Sequence, residues 1–274
     1  MRGERIYRHA WPVRLMHWVN ALCVLVLMGT GLGILNAHPV LYWGSTSEPE
    51  RSWLAIEAVP EGDVLRGQVT FLQTSLDLTG WLGVSREPGI EGPVARAFPH
   101  WATLPGPQSL STSRSVHLLF AWLIVLNGSC YLAYSLASGH LRRDLSVAPF
   151  EWRRVPATFL DHLLLRTTST ADVSYNVIQK LAYLAVVLGV VPLLFVTGLA
   201  MSPMLNSLVS GWVDWLGGRQ SARSIHFLSM AVLFCFLVIH LLQVLLHGPW
   251  NHIRSMVTGW YVVRPAKVEE QESQ

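Results

Sequence analysis

The chain predicts an all-α membrane protein: a four-transmembrane-helix bundle with a long periplasmic loop between helices one and two. Three observations carry that expectation. Of the 274 residues, 51% are hydrophobic and only 14% charged, against roughly a quarter charged in a soluble domain. The mean hydropathy is +0.36. Apolar runs fall at about 18–35, 115–137, 176–200 and 225–247, each near the ~20 residues that cross a bilayer core.

In chain order, the spans are expected at about 14–36, 114–137, 175–200 and 223–247, in a single integral membrane domain over 1–274. The first has a basic flank like a signal peptide, but it is long and no clear small-residue cleavage site follows it. We read it as a retained helix, because a ligand-type residue, His17, stands at its start. Cys23, Cys130 and Cys235 all lie within apolar runs and form neither a CxxCH nor a CxxC motif, so they read as small buried hydrophobes rather than as points of covalent or metal attachment.

Arginine placement orients the helices. Arg2, Arg5, Arg8 and Arg14 precede the first span, Arg142, Arg143, Arg153, Arg154 and Arg166 lie between the second and third, and Arg254, Arg264 and Lys267 follow the fourth. With four spans these segments share one side, and the positive-inside rule makes that side the cytoplasm. Both termini are therefore expected inside a bacterial inner (plasma) membrane. The opposite side receives the loop at 37–113, with four Arg against eight acidic residues. It is rich in Gly, Pro and Trp. Runs such as 67–73 are candidate short strands, but their period-2 signal is weak, so an ordered, irregular loop covering the helix ends is expected. Trp11, Trp18, Trp101, Trp212, Trp215, Trp250 and Trp260 fall near the expected helix ends, where amphipathic aromatics collect.

The fourth span carries His226 and His240, fourteen residues apart. That is almost four turns, so both rings share a face about 21 Å apart along the axis. His117 opens the second span, which like the fourth enters from outside, and matches His226 in depth. His17 opens the first, which enters from inside, and matches His240. Topology and spacing thus pair His117 with His226 and His17 with His240. Neutral imidazole is a common iron ligand, and closing both axial positions favours electron transfer over oxygen chemistry. Two noncovalent, bis-histidine b-type haems, one toward each membrane face, are the expected cofactors. Gly31 lies fourteen residues after His17 and Gly128 eleven after His117. Each is placed to admit a flat macrocycle close to the backbone, or simply a neighbouring helix. His9, His38, His100, His140, His162, His247 and His252 are read as surface or interfacial.

The segments RLMHWVNA (14–21), TGLGILNAHPVLYWG (30–44), WATLPGPQSL (101–110) and RSVHLLFAWLIVLNG (114–128) resemble the bacterial dihaem cytochrome b subunits of the nickel–iron hydrogenase and formate dehydrogenase gamma group. YNVIQKLAY (175–183), TGLAMSP (197–203) and SIHFLSMAVLFCFLVIH (224–240) extend the likeness over all four helices. The thiosulfate reductase cytochrome b branch looks nearest. The resemblance implies haem ligation by His17, His117, His226 and His240, and a quinone pocket beside the cytoplasmic haem at Asn176 and Gln179. An i, i+3 spacing puts those two amides on one helix face. Lys180 is placed to attract a reduced quinone anion or to reach lipid headgroups.

The sequence therefore reads as a conduit passing electrons between a periplasmic redox subunit and the membrane quinone pool. The resemblance suggests a subunit of iron–sulfur, molybdopterin or hydrogenase type. No nucleic-acid partner is expected. Tyr175, His140 and His162 are candidates for a proton path to the quinone. The rival reading is a metal-binding or transporter-type membrane protein using the same histidines. Transporters of that kind are built from repeats with interrupted helices, which the sequence does not display.

Overall fold

The computed structural model describes residues 4–139, 148, 150–156, 177–209, 211–246 and 248–263. Four helices are long and apolar enough to cross a membrane: α1 (Trp11–Leu35), α2 (Leu110–Ala137), α3 (Val177–Ala200) and α5 (Arg219–Leu246). The shortest has 24 residues, which at about 1.5 Å per residue exceeds the ~30 Å hydrocarbon core. The four-helix membrane class expected from the sequence is the class found. Short helices α4 (Pro203–Leu208) and α6 (Pro249–Thr258) follow α3 and α5.

The helix surfaces are inverted relative to a water-soluble protein. Leu22, Leu25, Leu119, Leu126, Phe234 and Leu241 are all more than half exposed. The fully buried helix positions are small, and several are polar: Thr30, Thr197, Ser135 and Ser224 are at 0%, beside Cys23, Ala200 and Ala222. In lipid, outward leucine costs nothing, while small side chains let helix backbones approach, and the Thr30 and Thr197 hydroxyls bond within their own helices. The three cysteines are free thiols.

Three helices begin before their apolar runs do. α1 starts at Trp11 rather than 14, α2 at Leu110 rather than 114, and α5 at Arg219 rather than 223. Hydropathy locates the lipid-embedded stretch, but the backbone stays helical for a further polar turn. Within α3, a π-helical turn at Val186–Val190 precedes Pro192. Proline cannot donate to the carbonyl four residues back and its ring crowds it, so the local winding loosens there.

The chain divides into two compact units. One comprises residues 1–18, 128–189 and 233–274. In it β1 (Glu4–Tyr7) pairs antiparallel with β8 (Trp260–Val263), Glu4 opposite Val263 and Tyr7 opposite Trp260. The Arg14 guanidinium donates to the Val257 carbonyl and the Trp18 indole to that of Met256 at 3.1 Å. These bonds dock α6 against the start of α1. Lys180 and Glu151 form a mostly buried ion pair at 2.9 Å.

The other unit comprises residues 19–127 and 190–232 and holds the outer loop, where the structure corrects the sequence. The loop is not irregular. It carries a four-stranded antiparallel sheet in the order β2 (Val40–Leu41), β3 (Leu54–Glu61), β4 (Val64–Phe71) and β5 (Thr74–Asp77). A separate hairpin joins β6 (Val84–Arg86) to β7 (Pro93–Ala95). Ile56, Val69, Ala97 and Phe98 form its core with Leu32 and Leu35 from the end of α1. Asn36 closes that end, donating to the Phe98 carbonyl and accepting from the Phe98 amide. Trp53, immediately before β3, donates its indole N–H to Ser224 on α5 at 2.9 Å.

Candidate functional site

In the outer-loop unit, His117 on α2 and His226 on α5 face each other with ring centres 6.3 Å apart. Thr30 Oγ1 on α1 lies 2.9 Å from His117 Nδ1, and Thr197 Oγ1 on α3 lies 3.0 Å from His226 Nδ1. The residue after each threonine is glycine. A Cβ at Gly31 would stand 3.5 Å from His117 Cε1, and one at Gly198 would stand 3.6 Å from His226 Cε1. All four helices therefore contribute to one pair of imidazoles.

In the unit that contains both chain ends, His17 on α1 and His240 on α5 stand with ring centres 6.4 Å apart. Phe236, one turn before His240, lies nearly parallel to its ring at 6.0 Å and 12°. Tyr183 on α3 meets Phe236 edge-on at 6.1 Å. Gln179 and Lys180 are on the same helix, one turn before Tyr183. Asn176, the other half of the expected quinone pocket, lies outside the described residues, as do Tyr175, His140, His162 and His247.

The pairs formed are the two that topology predicted, and their spacing can be tested against a metal between them. A metal–imidazole bond of about 2 Å plus the imidazole's own radius of about 1.2 Å, taken twice, separates two axial rings by roughly 6.4 Å. Both separations fit an iron with two imidazole axial ligands. Among the described residues no three His, Cys, Asp or Glu side chains converge, so the histidines stand in twos, unlike a closed four-ligand zinc site. Gly128 faces no atom within 4 Å of where a Cβ would lie. Gly31 is occupied differently from the expectation, since the group against it is the edge of the His117 ring.

A family model described as prokaryotic cytochrome b561 matches residues 8–259. The chain belongs to that family. Membership in the prokaryotic cytochrome b561 family makes it a multi-pass membrane protein that binds b-type haem and serves membrane electron transfer, and it agrees with the cytochrome b kinship read from the sequence. The chain is also 25% identical over 251 residues, 89% of its length and 93% of the other's, to a protein of Azospira oryzae described as a putative protein-methionine-sulfoxide reductase subunit YedZ1. No solved structure matches it significantly.

Thr30, Thr197 and Gly198 were not singled out from the sequence of this cytochrome. The signal was present: Thr–Gly–Leu occurs at 30–32 and again at 197–199, toward the C-terminal ends of two different spans. An intramembrane threonine bonded to its own helix is ordinary, so only the ring nitrogens opposite reveal the repeat.

Proposed function

We propose that this cytochrome carries two b-type haems and passes electrons between a periplasmic oxidoreductase partner and the membrane quinone pool. The observation that supports it best is the pair of imidazole separations, 6.3 Å and 6.4 Å, each the span of one bis-histidine iron. Bound haem supplies reversible one-electron chemistry, so a centre toward each face gives electrons a path across the lipid.

His117 and His226 hold the periplasmic haem, and His17 and His240 the cytoplasmic one, within a single domain over 1–274. Gly128, with no atom within 4 Å of where a Cβ would lie, leaves room for a macrocycle beside the latter, while Gly31 seats the His117 ring at the former. Asn176 and Gln179 bind the quinone carbonyl on the cytoplasmic side. Lys180, held by Glu151 at 2.9 Å, places positive charge on the same helix face. The cytoplasmic assignment of both chain ends draws support from the β1–β8 pairing, which keeps the ends together, and from the arginines that flank them. The Azospira oryzae relative is described as a putative subunit of a reductase. That favours a partner that accepts electrons, with quinol oxidised at the cytoplasmic site and its two protons released there.

Purified protein mixed with a short-chain quinol tests the reading. The b-type bands should sharpen to the reduced form under anaerobic conditions. Bands that dithionite reduces but no quinol does would remove the quinone role.

A further inference from the structure

Thr30 and Thr197 are wholly buried and repeat one geometry on two helices. A threonine hydroxyl has a single proton to give. Thr30 Oγ1 lies 2.7 Å from the Val26 carbonyl and 3.2 Å from that of Leu27. Thr197 Oγ1 lies 2.7 Å from the Leu193 carbonyl and 3.2 Å from that of Leu194. With the proton directed at its own helix, each hydroxyl turns a lone pair to the histidine, His117 Nδ1 at 2.9 Å and His226 Nδ1 at 3.0 Å. Acceptors therefore line the Nδ1 edge of both imidazoles. The proton sits on Nδ1 and the lone pair on Nε2, the tautomer that leaves Nε2 free to bind a metal.

The glycine after each threonine completes the arrangement. At Gly31 and Gly198 a Cβ would already touch the ring edge, at 3.5 Å and 3.6 Å, so any longer side chain would compete for the ring's place. The other pair is supported differently. Among the described residues no hydroxyl hydrogen-bonds His17 or His240, and His240 instead lies along Phe236.

We propose that Thr30–Gly31 and Thr197–Gly198 are paired ligand seats, positioning residues that lock the tautomer of His117 and His226 and tune the haem these hold. An acceptor on Nδ1–H makes the imidazole a stronger donor through Nε2, which stabilises ferric over ferrous iron and lowers the potential. Among the described residues only the His117/His226 pair receives this support. The inference rests on the bis-histidine reading given above and adds a role for residues that do not touch iron.

The test is a redox titration of the purified, haem-loaded protein, followed optically, with Thr197→Val, Thr30→Val and Thr197→Ser. Valine keeps the side-chain shape and removes the hydroxyl. Thr197→Val should raise the midpoint of one b-type component and leave the other in place, Thr30→Val should move the same component, and Thr197→Ser should stay near the wild type. Unmoved midpoints in both valine variants with haem retained would overturn the proposal. Should Thr197→Val lose haem, retention in Thr197→Ser supports the hydroxyl's role, and equal loss in both overturns it in favour of simple packing. A wild-type protein without b-type absorption would instead defeat the haem reading itself.

Discussion

Asn127 on α2 donates its side-chain amide to the Asn20 carbonyl oxygen on α1 at 2.7 Å, a second polar link between these helices beside the Thr30–His117 contact. Asn20 lies one turn inward from His17. In lipid no water replaces a lost partner, yet measured interhelical bonds contribute only about 0.6–2 kcal/mol each. Asn20→Leu should therefore lower thermal stability by that order while the protein still inserts and binds haem. A melting curve in detergent, read at a haem band, checks it; an unchanged midpoint would show the link to be energetically idle.

The outer sheet depends on one close backbone approach. A Cβ at Gly67 in β4 would fall 1.9 Å from the Leu82 carbonyl oxygen, closer than any real contact, and both sides of the clash are main chain. Gly67→Ala must push the 82–83 segment away from the sheet, and overpacking of this kind costs about 1–3 kcal/mol. Limited proteolysis should cut within 37–113 faster in the variant, with the b-type spectrum unchanged. Equal cutting rates would mean that the segment shifts without loss.

That sheet also shows why part of the fold was hidden in the sequence. The four spans were legible because crossing a membrane demands a long apolar run, and the histidine pairs because helix periodicity turns sequence distance into depth. Hairpins are usually announced by Asn–Gly or Asp–Gly. Here the β4–β5 turn is made by Leu72 and Gln73, both at positive φ (46° and 70°), residues that give no such signal. Trp53 and Val69 face inward, but the buried position at Gly67 has no side chain to mark the alternation. The threonine seats went unread for a different reason: their meaning lies in a nitrogen on another helix. Gln179 could be placed on α3, whereas Asn176 lies outside the described residues.

The quinone assignment makes a separable prediction. Asn176→Leu and Gln179→Leu should each leave haem content and midpoints unchanged and slow quinol-driven haem reduction at least several-fold, because a buried carbonyl loses its donor. Stopped-flow reduction by a short-chain quinol measures it. Wild-type rates in both variants would move the pocket elsewhere.

Lys180 and Glu151 make a prediction of their own. Their side chains are 14% and 16% exposed, so Lys180→Met would take the Lys180 charge away from a largely buried carboxylate. Removing one partner of such a pair costs about 3–5 kcal/mol when burial is complete, and somewhat less here. The double variant Lys180→Met with Glu151→Gln should recover much of the loss. A double variant no more stable than the single one would show that the pair is not coupled.

Haem stoichiometry tests the central claim most directly. Pyridine haemochrome assay against protein concentration should give two haems per chain in the wild type and one in His240→Ala, with the His117/His226 component still present in the spectrum. One haem per chain in the wild type, or two in His240→Ala, would contradict two centres each held between a pair of imidazoles.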